Sequence, residues 1–139
     1  MAFLIHNFCY FGLAGCLVVG LTTLYTSLGY TGKAQERYSP GNHFISELGE
    51  IGVSTRARIF NSGLIVGGAT LIPFVIGLGL YLQDIWAKLG ILAGLWTSIA
   101  CVCVGLFPMN DISPHIKAAV AYFRGGLVTV LLFNLAILF

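Results

Sequence analysis

Histidine, serine and two carboxylates fall within eight residues in the segment His43-Phe44-Ile45-Ser46-Glu47-Leu48-Gly49-Glu50. If Asn42 caps a short helix, His43 and Glu47 lie at i and i+4 on one face, and Glu47 and Glu50 at i and i+3. Such a face could bind a cation, take up a proton or pair with Arg56 or Arg58. As a metal site it lacks a third ligand in the same segment. The plainer reading is a short interfacial helix held by local ion pairs and caps.

A second constellation follows some sixty residues later, in "FPMNDISPHIKAAVAYFRG". Asp111 and Ser113 precede a helix on which His115, Ala118 and Tyr122 share one face, and Lys117 and Arg124, seven apart, share another. Arg124 stands about 15 Å along the helix from Pro114. An arginine facing lipid at the bilayer centre costs at least ~2.5 kcal/mol, so it either faces the bundle and finds a carboxylate or snorkels to the interface. Glu47, Glu50 and Asp111 are the expected partners; a role in ligand binding or transport is the sharper alternative. Asn61 is expected to hydrogen-bond across helices, for ~0.6 kcal/mol. No Ser/His/Asp triad, phosphate loop or HExxH site occurs.

The elements that must position these residues are apolar. The chain of 139 residues is 58% hydrophobic and 9% charged, with mean hydropathy +0.92, against about 25% charged in a soluble domain. Four runs are long enough to cross a hydrocarbon core of ~30 Å. The predicted fold is all-α, a single polytopic transmembrane helix bundle over 1–139. Its four spanning helices lie at about 3–30, 56–82, 89–107 and 114–139, with the short interfacial helix in the first loop. Ser54 or Thr55 is expected to cap the second helix, Pro73 to kink it, and Ser113 to cap the fourth with Pro114 at its first position. The steps Gly63/Gly67 and Gly90/Gly94 are places where backbones can approach.

The net charge of +2, without a basic patch, argues against nucleic acid. Cys9, Cys16, Cys101 and Cys103 lie in apolar runs without metal-ligand spacing and read as small hydrophobes; no metal or cofactor is expected. Lys33, Arg37, Arg56, Arg58 and Lys117 fall on the side of the first and third connections, which the positive-inside bias places in the cytoplasm. The closing "NLAILF" has no polar tail, as expected of a very short terminus or a piece of something longer.

Together the segments "HFISELGEIGVSTRARIFNSGLIVGG" and "VGLFPMNDISPHIKAAVAYF" resemble the bacterial and archaeal membrane proteins grouped as domain of unknown function 998. There an SELG element in the first loop leads to an FN-containing helix, and a later FP-x-x-D precedes a histidine. Ser46, Glu47, Leu48, Gly49, Phe60, Asn61, Phe107, Pro108, Asp111 and His115 match by position. The resemblance implies an integral protein of a bacterial or archaeal cytoplasmic membrane. A looser similarity, through Ile45, Ser46, Glu47 and Gly49, links the layout to the damage-regulated autophagy modulator proteins of eukaryotes. These relatives are expected to have about six helices, of which this chain supplies four, and the eukaryotic group to hold its first loop outside the cytoplasm, opposite to the charge bias.

The expected role is non-catalytic: binding membrane lipid or a small polar ligand, or serving as a subunit that associates with other membrane chains or with itself. A transporter of a small solute or ion is one alternative. A lipid-modifying enzyme with His115 and Asp111 or Glu47 as acid and base is another.

Overall fold

In the computed structural model, which describes all residues from Met1 to Phe139, the chain is all-helical. Four long helices, α1 (Ala2–Leu28), α2 (Ala57–Leu82), α3 (Ile85–Leu106) and α4 (Ile112–Leu138), are long and apolar enough to cross a membrane. A five-residue 3₁₀ turn, Ile45–Gly49, interrupts the first loop. Each helix packs on its neighbour in sequence, while α1 and α4 do not pack on one another. The helices form a curved row, with α2 and α3 at its back and a cleft between the outer pair.

Glycine sets the closeness of that row. Gly15 of α1 and Gly67 of α2 face each other, where an added Cβ on either would stand 3.3 Å from the other's carbonyl. On α2 and α3, a Cβ at Gly68 would meet the Ser98 carbonyl at 2.9 Å, and one at Gly105 the Asn61 carbonyl at 2.5 Å. Without a hydrophobic drive between helices in lipid, such backbone approach is what lets van der Waals contact and polar bonds hold them. Both predicted glycine steps are used inside the chain: Gly63 and Gly67 face α1, Gly94 faces Val75 of α2 and Gly90 faces Phe133 of α4.

The helix starts differ from those predicted. α3 begins at Ile85, because Asp84 caps it by accepting from the Ala87 N–H at 3.0 Å; the polar look of "QDIWAK" hid a first helical turn. Gln83 adopts the left-handed conformation, φ 66°, that reverses the chain between α2 and α3. The second helix is capped by neither expected residue. Thr55 Oγ1 donates to the Gly29 carbonyl at 2.8 Å, tying the loop to the end of α1, and the Ser54 hydroxyl is buried without a partner. α4 starts at Ile112 after Asp111, so Ser113 is already helical.

Candidate functional site

At one end of the helices the first loop folds into a lid. Its aromatic centre is Tyr30, Tyr38 and His43, with ring centroids 5.4 to 5.7 Å apart. Beneath them Tyr30 packs with Leu48 and Phe60. The predicted helix with His43 and Glu47 on one face does not form. The segment turns 3₁₀ only from Ile45, because Glu47 reaches back to accept from the Phe44 N–H at 2.8 Å, leaving His43 outside the turn.

His43 faces a different carboxylate. Its Nδ1 lies 3.1 Å from the Ser39 amide nitrogen and 3.2 Å from the Ser39 carbonyl oxygen, and its Nε2 lies 3.5 Å from Glu36 Oε1. Glu47 instead accepts from the Tyr30 hydroxyl at 3.2 Å, and Glu50 pairs with the exposed Lys33 at 2.7 Å. Neither Arg56 nor Arg58 meets a carboxylate. Arg56 donates to the Tyr25 carbonyl at 2.6 Å and lies over that ring, 4.0 Å from its centroid.

Three contacts bind the lid to the rest of the chain. Asn61, buried in α2, donates to the Gly49 carbonyl at 3.0 Å, so its amide serves the loop and not a neighbouring helix. Asn110 makes two bonds to the backbone of Ile51, accepting from its N–H and donating to its carbonyl, both 2.8 Å. Ser46 donates to the sulfur of Met109 at 3.5 Å. Thus the two polar constellations do meet, but through Asn110, Met109, Ser46 and Ile51. His115 is buried with Nδ1 2.7 Å from the Phe107 carbonyl, which pins the third connection, and it shares no bond with Glu47.

Arg124 does not meet the carboxylate partners expected for it. It is exposed on α4 and pairs with none of Glu47, Glu50 and Asp111; the first two are engaged within the lid and the third is exposed at the start of α4.

Under the lid, the gap between α1 and α4 forms a groove of about 610 Å³. Its walls are Val19 and Thr23 on one side and Ala119 and Tyr122 on the other; Leu64 and Cys101 line its floor. Ser46 and His115 line it as well, so its polar side chains come from the lid, from the first turn of α4 and, through Thr23, from α1. Fourteen of its seventeen lining residues are hydrophobic, which suits a chain of methylenes better than a solute. Neither Glu47 nor Asp111 lines it. No group of three or more His, Cys, Asp or Glu residues stands close enough to hold a metal ion.

The lid's electrostatics are local. Its own backbone N–H, then that of Ala34 and the facing His43, hold the Glu36 carboxyl below its usual range. Burial first, then the hydrogen bond to Glu47 and the charges of Glu47, Glu36 and Glu50, push the Tyr30 phenol up to about 12. The folded state therefore keeps a proton that the unfolded chain loses, so this contribution is intact below pH ~10 and disappears as pH rises toward 12. Alkaline titration by tyrosinate absorbance should show one phenol ionising near pH 12 that is missing from Tyr30→Phe. An unchanged titration curve in that variant would show that Tyr30 is not so held.

Sequence reasoning missed Tyr30, Tyr38, Glu36 and Asn110. No motif marks the tyrosines, and Asn110 is one of several polar residues in "PMNDIS". Only its bond pair with Ile51, 59 residues away, marks it out.

The family model described as "Protein of unknown function (DUF998)" matches residues 18–138, and the chain belongs to that family. The matched span holds the lid, the groove and all of α2 and α3. No curated protein and no solved structure matches the chain.

Proposed function

We propose that this integral membrane protein is a non-catalytic binder of an amphiphile, a membrane lipid whose acyl chain lies in the groove between α1 and α4 and whose polar end meets the lid. The observation that carries the reading is the groove itself. It has the size usual for small-molecule pockets, roughly 300–1,000 Å³, its lining is mostly apolar, and two of its three polar residues, His115 and Ser46, belong to the segments that bring the lid and α4 together, the third being Thr23 of α1.

Chemistry on the lipid is less well supported. His115 lines the groove with Nδ1 at the Phe107 carbonyl, and the carboxylates that would complete an acid–base pair, Asp111 and Glu47, do not line it. Transport through this chain is also less well supported, because Arg124, the cation farthest from either end of a spanning helix, is exposed and does not line the cleft.

The test is lipid retention. Ala119→Trp places an indole in the groove wall while sparing the lid's hydrogen bonds. Native mass spectrometry of the protein purified in mild detergent should show bound phospholipid on the wild type and at least about a fivefold lower occupancy on the variant, the loss expected when a large side chain overfills an apolar site. Equal occupancy in the two would contradict the reading.

A further inference from the structure

α4 presents three faces. One packs on α3 through Thr129, which meets Thr97 at 3.2 Å, and Phe133, which covers Gly90. A second, with His115 and Tyr122, lines the groove. The third carries Lys117 and Arg124, both exposed, neither lining the groove and neither within ion-pair distance of a carboxylate.

The depth of Arg124 makes this face unusual. Its neighbour Gly125 abuts α3 where an added Cβ would be 2.7 Å from Thr97 Oγ1. Thr97 lies near the middle of α3, nine residues from Leu106 and twelve from Ile85. With its 22 residues, α3 is about 33 Å long, close to the ~30 Å of a hydrocarbon core; with α3 spanning that core end to end, the Arg124 backbone lies about 14 Å below the lid-side boundary. An extended arginine side chain is shorter than that depth, so snorkelling brings the guanidinium toward the boundary without reaching it. Charged groups at such depth pair with one another or face water or protein.

We infer that the Lys117–Arg124 face of α4 is the docking surface for another membrane helix that carries a carboxylate near its midpoint. A second copy of this chain does not meet the requirement. Its five carboxylates, Glu36, Glu47, Glu50, Asp84 and Asp111, all lie outside the four long helices, and none reaches the depth of Arg124. The partner is a different spanning segment, with an aspartate or glutamate opposite Arg124 and its interfacial end beside Lys117. This surface points away from the groove and does not depend on whether the groove holds lipid.

The full chain, labelled with a fluorophore and reconstituted in phosphatidylcholine vesicles, can be titrated with synthetic leucine–alanine spanning helices bearing a single aspartate or asparagine at stepped depths. Energy transfer should report at least about tenfold tighter association for aspartate at mid-helix than for asparagine there. Arg124→Gln should abolish that preference, and Lys117→Gln should keep it. Equal binding of the aspartate and asparagine helices would overturn the inference. So would tightest binding with the aspartate at the lid-side end, which would place the guanidinium at the interface, or an unchanged preference in Arg124→Gln. Displacement of the mid-helix aspartate peptide by added phosphatidylglycerol would assign the face to lipid phosphate and overturn it equally.

Discussion

Gly105→Ala should be the most damaging methyl group that can be added to this chain. Alanine is the better helix former by about 1 kcal/mol, so propensity alone predicts stabilisation. The structure predicts the reverse, because the new Cβ would stand 2.5 Å from the Asn61 carbonyl and 2.8 Å from the Ile65 side chain. A side chain can rotate away, but the Asn61 carbonyl belongs to the backbone of α2 and can retreat only if the helices part. Overpacking of this kind costs about 1–3 kcal/mol, and the upper end is expected here. Gly20→Ala supplies the control, since a Cβ at Gly20 meets nothing within 4 Å and should raise stability slightly. Thermal unfolding in detergent should therefore move in opposite directions for the two variants. If Gly105→Ala is as stable as Gly20→Ala, the close crossing of α2 and α3 is wrong.

Asn61→Leu should be nearly as costly, for a polar reason. Asn61 is buried and its amide donates to the carbonyl of Gly49, itself buried, so leucine of similar size leaves that carbonyl unpaired. Abandoning a buried acceptor costs about 1–3 kcal/mol. The loss has a second consequence, because the 3₁₀ turn that Asn61 holds contributes Ile45 and Ser46 to the groove. Asn61→Leu should thus lower both the unfolding midpoint and the amount of lipid retained. A variant that lost stability and kept wild-type lipid occupancy would separate the lid from the groove and count against their coupling.

Much of the frame was legible in the sequence. Four uninterrupted apolar runs leave a chain in lipid little choice but helix, since every backbone polar group must be satisfied within its own segment. The glycine steps were legible as places of contact, although not which neighbour each would face. The polar segments were far less readable. Periodicity placed His43 and Glu47 on one helical face, but the carboxylate of Glu47 found the Phe44 amide three residues back, and a tighter turn resulted. Arg124 was expected either to find an acid within the chain or to snorkel to the interface. Glu47 and Glu50 were already committed to Tyr30 and Lys33, and Asp111 stayed at the helix start. Side-chain competition of this kind leaves no trace in spacing. The same holds for Asn110, whose partner is a backbone and not a side chain, so that nothing in the residue at position 51 could announce it.

The most direct measurement is photo-crosslinking in the bilayer. The full chain would be reconstituted with a phospholipid carrying a photoreactive group along its acyl chain, irradiated, digested and sequenced by mass spectrometry. If the cleft between α1 and α4 holds an acyl chain, adducts should concentrate on Ala119, Tyr122 and Val19, which line it, well above Leu13 and Leu17 on the exposed face of α1. Adducts spread over Leu13, Leu17 and the other outward leucines, with the groove residues unlabelled, would contradict the account.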